Sequence, residues 1–128
     1  MLAVDTNIII RYLIGDNPAQ SEKVRKLFDE NRIFVCTTVL LEAEWVLRSA
    51  YKYKPAQVAD AFSRIAGLSC VTLQDPAVST ALDWMKQDAD FADALHFLAS
   101  KGCDSFATFD VKLAGIAGRL GEIPVRIP

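Results

Sequence analysis

The sequence predicts an α/β fold, a three-layer α/β/α arrangement around a central, mostly parallel sheet of four to five short strands. Three observations predict it. Short apolar runs recur along the chain as LAV, IFVC, CVTL, SFAT and VRI. Stretches with apolar residues at helical spacing separate them. Helix-start signals, either a lone aspartate or an Asp-Pro pair, follow several of those runs directly. Short apolar strands alternating with helices imply a parallel sheet covered on both faces.

The elements follow in order. Residues 2–5 read as a strand, and residues 6–14 as a short helix stopped near Gly15. Asp16-Asn17-Pro18 starts a second helix, with proline near the first helical position. That helix has apolar residues at Val24, Leu27 and Phe28. Residues 33–36 form a strand, and Thr37 or Thr38 caps a helix to about Ala50. Pro55 starts a helix to about Ala66. Residues 70–73 form a strand, and Asp75-Pro76 opens a helix to about Gln87. Asp90 opens a helix to about Lys101. Residues 105–108 form a strand, and Asp110 opens a helix to about Leu120. Residues 125–127 make a last short strand.

At 128 residues, the chain is expected to be one domain, 1–128, with a sizeable core. Hydrophobic residues make up 52% and charged residues 23%, which excludes a disordered chain. No apolar run approaches the ~20 residues of a membrane span. The opening MLAVD lacks the basic and apolar regions of a signal peptide, so the expected location is cytoplasmic. Cys36, Cys70 and Cys103 are odd in number and far apart, and they read as reduced core thiols. The formal net charge of −2 leaves no basic footprint for nucleic acid. If nucleic acid is the substrate, local cations, a bridging metal or a partner chain must hold it.

The acids carry the chemistry. Asp5 sits at the seam of two apolar runs, where it is either a helix cap or a cation ligand. On a wheel of about 100° per residue, Val39, Leu40, Ala43, Val46, Leu47 and Ala50 form one apolar face of the third helix. Glu42 falls at the edge of that face with no basic partner on its C-terminal side. Glu44 precedes Arg48 by four residues and reads as half of a surface ion pair. Asp90 and Asp93 share a helix side, as a cap and a first-turn acid respectively, with Asp88 close by. Asp110 ends SFATFD and could also be only a cap; Asp75 shows the same pattern, and its following proline favours the plain cap. Taken together, Asp5, Glu42, Asp93 and Asp110 can gather beyond the carboxyl ends of the strands, where such sheets bind ligands. Clustered carboxylates raise one another's pKa or require a cation. Without Cys or His in the set, that cation would be Mg²⁺ or Mn²⁺. Such an ion polarises phosphates and activates water.

These residues resemble the PIN-domain ribonucleases, of the kind found as toxins of type II toxin–antitoxin pairs (VapC-like). VDTNIIIRYL looks like the first family motif, LLEAEWVLRSAY the second, DFADALH the third and ATFDVKLA the last. The resemblance covers essentially the whole chain. It implies a Mg²⁺- or Mn²⁺-dependent endoribonuclease that hydrolyses RNA with a metal-activated water. Asp5 and Asp93 would be direct metal ligands, and Glu42 and Asp110 would complete the acidic, catalytic set. Thr6 and Asn7 would support Asp5, Thr108 would line the same edge, and Asp90 would be an extra ligand or a cap. A cognate antitoxin is the implied partner, and a homodimer the implied assembly. Arg11, Arg48, Lys52 and Lys112 each follow an acidic motif and are candidates for phosphate contacts.

His96, three residues after Asp93, is expected to pack at a core or interface edge. Trp45 and Trp84 are expected in the core by helical spacing. Tyr51-Lys52-Tyr53-Lys54 fits RNA stacking or an amphipathic helix end equally well. Two other functions stay open: a PIN-type nuclease that processes RNA or acts on DNA without a toxin role, and a catalytically silent module binding a structural cation. A receiver-like module would need its acids near mid-chain, and here they lie at both ends.

Overall fold

The computed structural model describes residues 1–128. Seven helices and five short strands alternate along the chain, and every strand pair is parallel. The chain forms two compact units, Met1–Pro76 and Ala77–Pro128.

The first unit holds a three-stranded sheet in the order β1 (Leu2–Ala3), β2 (Ile33–Val35), β3 (Val71–Leu73). Leu2 pairs with Ile33, and Ile33 with Val71. Between β1 and β2 run α1 (Thr6–Leu13) and α2 (Pro18–Glu30); between β2 and β3 run α3 (Thr37–Ser49) and α4 (Pro55–Ala66). Crossovers of this length are what parallel neighbours demand. Ile9, Ile33, Val35, Leu40, Leu47, Val58, Phe62 and Ile65 make the core, each essentially inaccessible to solvent. Burying one such side chain contributes about 1.5–3 kcal/mol. Helix α1 packs on α2 and α3, and α3 on α4.

Local chemistry sets the helix starts. Asn17 caps α2 by accepting from the Gln20 amide at 3.2 Å, and Pro18 fills the first turn. Neither Thr37 nor Thr38 caps α3. The strand ends a residue earlier than expected, Cys36 takes the cap position without a side-chain bond, and Gln74 Oε1 accepts from the Thr37 amide at 2.9 Å. The turn after α3 places Lys52 at φ 58°, a left-handed conformation.

The second unit contains α5 (Ala77–Met85), α6 (Phe91–Leu98), β4 (Phe106–Ala107), α7 (Val111–Leu120) and β5 (Val125–Arg126). Strand β4 pairs with β5. The five strands therefore form ladders of three and two. Trp84, Phe97 and Phe106 meet in series, the first pair tilted and the second edge-to-face, with ring centroids 5.5 and 5.3 Å apart, and Phe91, Ala94, Leu95 and Ala117 are buried in the same unit. Gly121 closes α7 directly against the Phe97 ring. A Cβ there would overlap the ring and lie 2.6 Å from the Ala117 carbonyl oxygen.

Burial corrects the expectations for Trp45 and Cys103 and narrows the one for His96. Trp45 is 61% exposed, not core, whereas Trp84 is buried as expected. Cys103 is exposed, while Cys36 and Cys70 are half-buried; all three thiols are free. His96 is exposed, so it does not pack at a core edge of this chain.

Candidate functional site

In the first unit, Asp5 follows β1. The Val4 amide still donates to the Phe34 carbonyl at 3.3 Å, so the ladder runs up to the aspartate. Asp5 then caps α1, and its Oδ1 accepts from the Thr6 backbone amide at 2.7 Å. Its neighbours Val4 and Thr6 are buried, but the carboxylate itself is exposed, which removes the penalty of a buried charge at this seam. Thr6 thus supports Asp5 through its main chain. Asn7 is exposed and makes no hydrogen bond to Asp5.

Glu42 lies on α3, the helix packed against α1. Its side chain is exposed, and Glu44 is the buried acid, at 4% exposure. The expected ion pair exists, Arg48 Nε to Glu44 Oε1 at 2.7 Å, but the carboxylate end is inside the fold, not on the surface.

In the second unit, a cavity of about 300 Å³ is lined by Asp88, Asp90, Asp93, Asp110 and Lys112. Asp90 caps α6, with Oδ2 accepting from the Asp93 amide at 3.1 Å. Asp110 caps α7, with Oδ1 accepting from the Leu113 amide at 2.9 Å. Thr108 Oγ1 accepts from the Asp110 amide at 2.9 Å. Asp88 sits in a left-handed turn at φ 72° and pairs with Lys112 at 2.9 Å. Its lining position was not singled out in sequence, although the run DADFAD already carried the signal.

Asp93 is the electrostatic centre of this cavity. Partial burial raises its carboxyl above the ordinary value, and the Asp90 and Asp110 carboxylates raise it further; His96 offsets part of this. Asp90 and Asp110 each keep one oxygen outside their capping bond. The donor set is all hard oxygen, which fits a divalent cation of the Mg²⁺ type. Within neither unit do three or more acidic, His or Cys side chains already converge on one metal position. Asp5 and Glu42 belong to one unit, and Asp93 and Asp110 to the other.

The sequence-nominated cations are engaged. Arg11 pairs with Asp16 and donates to the Tyr51 hydroxyl at 3.4 Å. Arg48 pairs with Glu44, Lys112 with Asp88, and Lys52 Nζ donates to the Ser49 carbonyl at 2.8 Å.

Parallel strands lead into aspartate-capped helices, and a carboxylate-lined cavity raises one acid, in an α/β protein. The PIN domain model matches residues 2–119, so the chain belongs to the PIN domain family. PIN domains are generally metal-dependent nucleases, usually with Mg²⁺. No curated protein and no solved structure matches the chain. No helix is long and apolar enough to cross a membrane.

Proposed function

We propose that this chain is a Mg²⁺- or Mn²⁺-dependent endoribonuclease, acting as the toxin of a type II toxin–antitoxin pair. The observation that carries the nuclease reading is the cavity where Asp88, Asp90, Asp93 and Asp110 meet, with its lysine already paired and the Asp93 carboxyl raised by partial burial and then by Asp90 and Asp110. Such a group gains most from a divalent cation. Family membership across residues 2–119 supports treating the two units as one catalytic domain. Asp5 and Asp93 would hold the ion, with Glu42 and Asp110 completing the set and Asp90 adding an oxygen. A bound Mg²⁺ supplies positive charge that polarises a phosphate oxygen and eases deprotonation of water. The protein's own part is to orient the Asp5, Asp90 and Asp110 carboxylates through the Thr6, Asp93 and Leu113 amides, with the Thr108 hydroxyl holding the Asp110 amide. In the hydrolysis a water oxygen forms a bond to phosphorus, the bond to one ribose oxygen breaks, and that oxygen takes a proton.

The toxin role, a cognate antitoxin, a homodimer and a cytoplasmic location rest on the motif resemblance. The test is cleavage of single-stranded RNA by the purified chain, with Mg²⁺, with Mn²⁺ and with EDTA, beside a DNA of the same sequence. Metal-dependent RNA cleavage that vanishes in Asp5→Asn is the expected result. Cleavage of DNA alone, or RNA cleavage unaffected by EDTA, overturns the reading. Growth arrest on expression, relieved by a neighbouring gene product, tests the toxin role separately.

A further inference from the structure

The four cations nominated from sequence each have a partner in their own chain, so a cation without one is freer to meet a substrate anion. The first unit has one place that offers this. Tyr12 on α1, Arg25 and Asp29 on α2 and Arg64 on α4 line a cavity of about 370 Å³. Neither Arg25 nor Arg64 takes part in an ion pair or a side-chain hydrogen bond, and the Tyr12 hydroxyl is also unpartnered. The Tyr12 ring stacks on Phe28, with centroids 4.3 Å apart, which fixes Tyr12 in the cavity wall. Two arginines and one carboxylate line the cavity, and the carboxylate pairs with neither arginine. One positive charge in excess is left there for an incoming anion. Guanidinium forks and a phenolic hydroxyl are all donors suited to phosphate oxygens.

The cavity does not end there. Arg64 also lines a second hollow of about 730 Å³, with Tyr53, Gln57, Asp60 and Ser63. The two hollows share Arg64, and together they are lined by two tyrosines, amide and hydroxyl groups, two arginines and the carboxylates Asp29 and Asp60. The positive charge is concentrated in the first hollow, and the tyrosine rings offer stacking surface to a single strand. Arg64 stands in the last turn of α4, where a cation complements the helix dipole. That accounts for its charge being tolerated there, and not for its convergence with Arg25.

We propose that Arg25, Arg64 and Tyr12 form a phosphate-binding site that takes a backbone phosphate of the RNA away from the bond being cut. The site rests on the ribonuclease reading for its substrate, and it is read by binding, not by cleavage. Helix α1 begins at the Asp5 cap and carries Tyr12 near its other end, so the phosphate held here belongs to a nucleotide displaced from the scissile one. In a chain of net charge −2 and pI 5.3, such a local site supplies what the overall charge does not.

The experiment is fluorescence anisotropy of a labelled single-stranded RNA, in EDTA so that no cleavage occurs, over a salt series. The proteins are wild type, Arg25→Ala, Arg64→Ala, the double variant and the double lysine variant. The expected result is binding weakened on the order of 10-fold in the double alanine variant, with a salt slope shallower by about 0.7, the loss of one neutralised phosphate on a single strand. The lysine variant, which keeps the charge, recovers most of the slope, and circular dichroism checks that each variant folds. Adenosine monophosphate and inorganic phosphate, titrated by calorimetry, separate the two sources of phosphate. Loss of their binding in the double variant with RNA binding unchanged assigns the site to a free phosphate ligand instead. Equal RNA and phosphate binding in wild type and double variant overturns the site. A glutamate-rich peptide that binds there when RNA does not also overturns it. RNA binding that depends on both arginines, in a protein that cleaves nothing with Mg²⁺, sinks the nuclease reading and leaves this site standing.

Discussion

Thr108 accepts a hydrogen bond from the backbone amide of Asp110 at 2.9 Å, so a hydroxyl two residues upstream fixes the peptide that carries a site carboxylate. Asp110 then spends one oxygen on the Leu113 amide. The orientation of its other oxygen is therefore set on both sides. Thr108→Val keeps the shape and removes the acceptor. The expected outcome is a stability loss of about 1 kcal/mol and a metal affinity lower by about 10- to 100-fold. Calorimetric Mn²⁺ titration checks it, and Thr108→Ser should behave as wild type.

Glu42 and Glu44 separate activity from stability. Glu42 is exposed, so Glu42→Gln should leave the melting temperature unchanged and remove metal-dependent cleavage. Glu44 is buried and tied to Arg48 at 2.7 Å. Glu44→Gln should lower stability by about 1–2 kcal/mol, less than a fully buried pair because Arg48 is 43% exposed and can be hydrated. Thermal melts and RNA cleavage on both variants decide this. Equal activity loss in the two contradicts the assignment of Glu42.

Asp93 makes stability depend on pH in an unusual direction. Its folded carboxyl titrates above its ordinary value of 3.8. A group raised by folding contributes stability below 3.8, and that contribution is lost as pH rises through the folded value. At neutral pH in EDTA, Asp93→Asn should therefore melt higher than wild type. Below 3.8 the two should converge. Saturating Mg²⁺ should reverse the order at neutral pH, because only the carboxylate binds the ion. Melting curves with and without Mg²⁺ at several pH values are the check.

Asp5 both caps a helix and stands in the proposed metal set. Asn caps as well as Asp, so Asp5→Asn should fold normally and lose at least about 100-fold of the metal-dependent cleavage rate. Asp5→Ala should also lose about 1 kcal/mol of stability through the Thr6 amide. A folded Asp5→Asn protein with full activity would falsify the metal role.

Much of this was legible in sequence where the signal is local. The caps Asp5, Asp90 and Asp110 each bond an amide within three residues, so a short window contains the whole interaction. The parallel pairing followed from strand-helix alternation. Glu42 and Glu44 were sorted wrongly for burial because a helical wheel knows only its own helix. Helix α3 is packed by α1 and by α4, and its buried residues Leu40, Ala43, Glu44 and Leu47 span an arc that includes the acid. The same geometry turns Trp45 outward. Arg25 and Arg64 carried no signal, since they are far apart in sequence and only packing brings them to one cavity.

Gly121 gives the second unit a point of failure that involves no charge. Its backbone touches the ring of Phe97, and that ring links Trp84 to Phe106. Even a single methyl group there must displace an aromatic that two others lean on. Inactive natural alleles should therefore include substitutions at codon 121 with all the carboxylates intact, a lesion of shape invisible to any survey of catalytic acids.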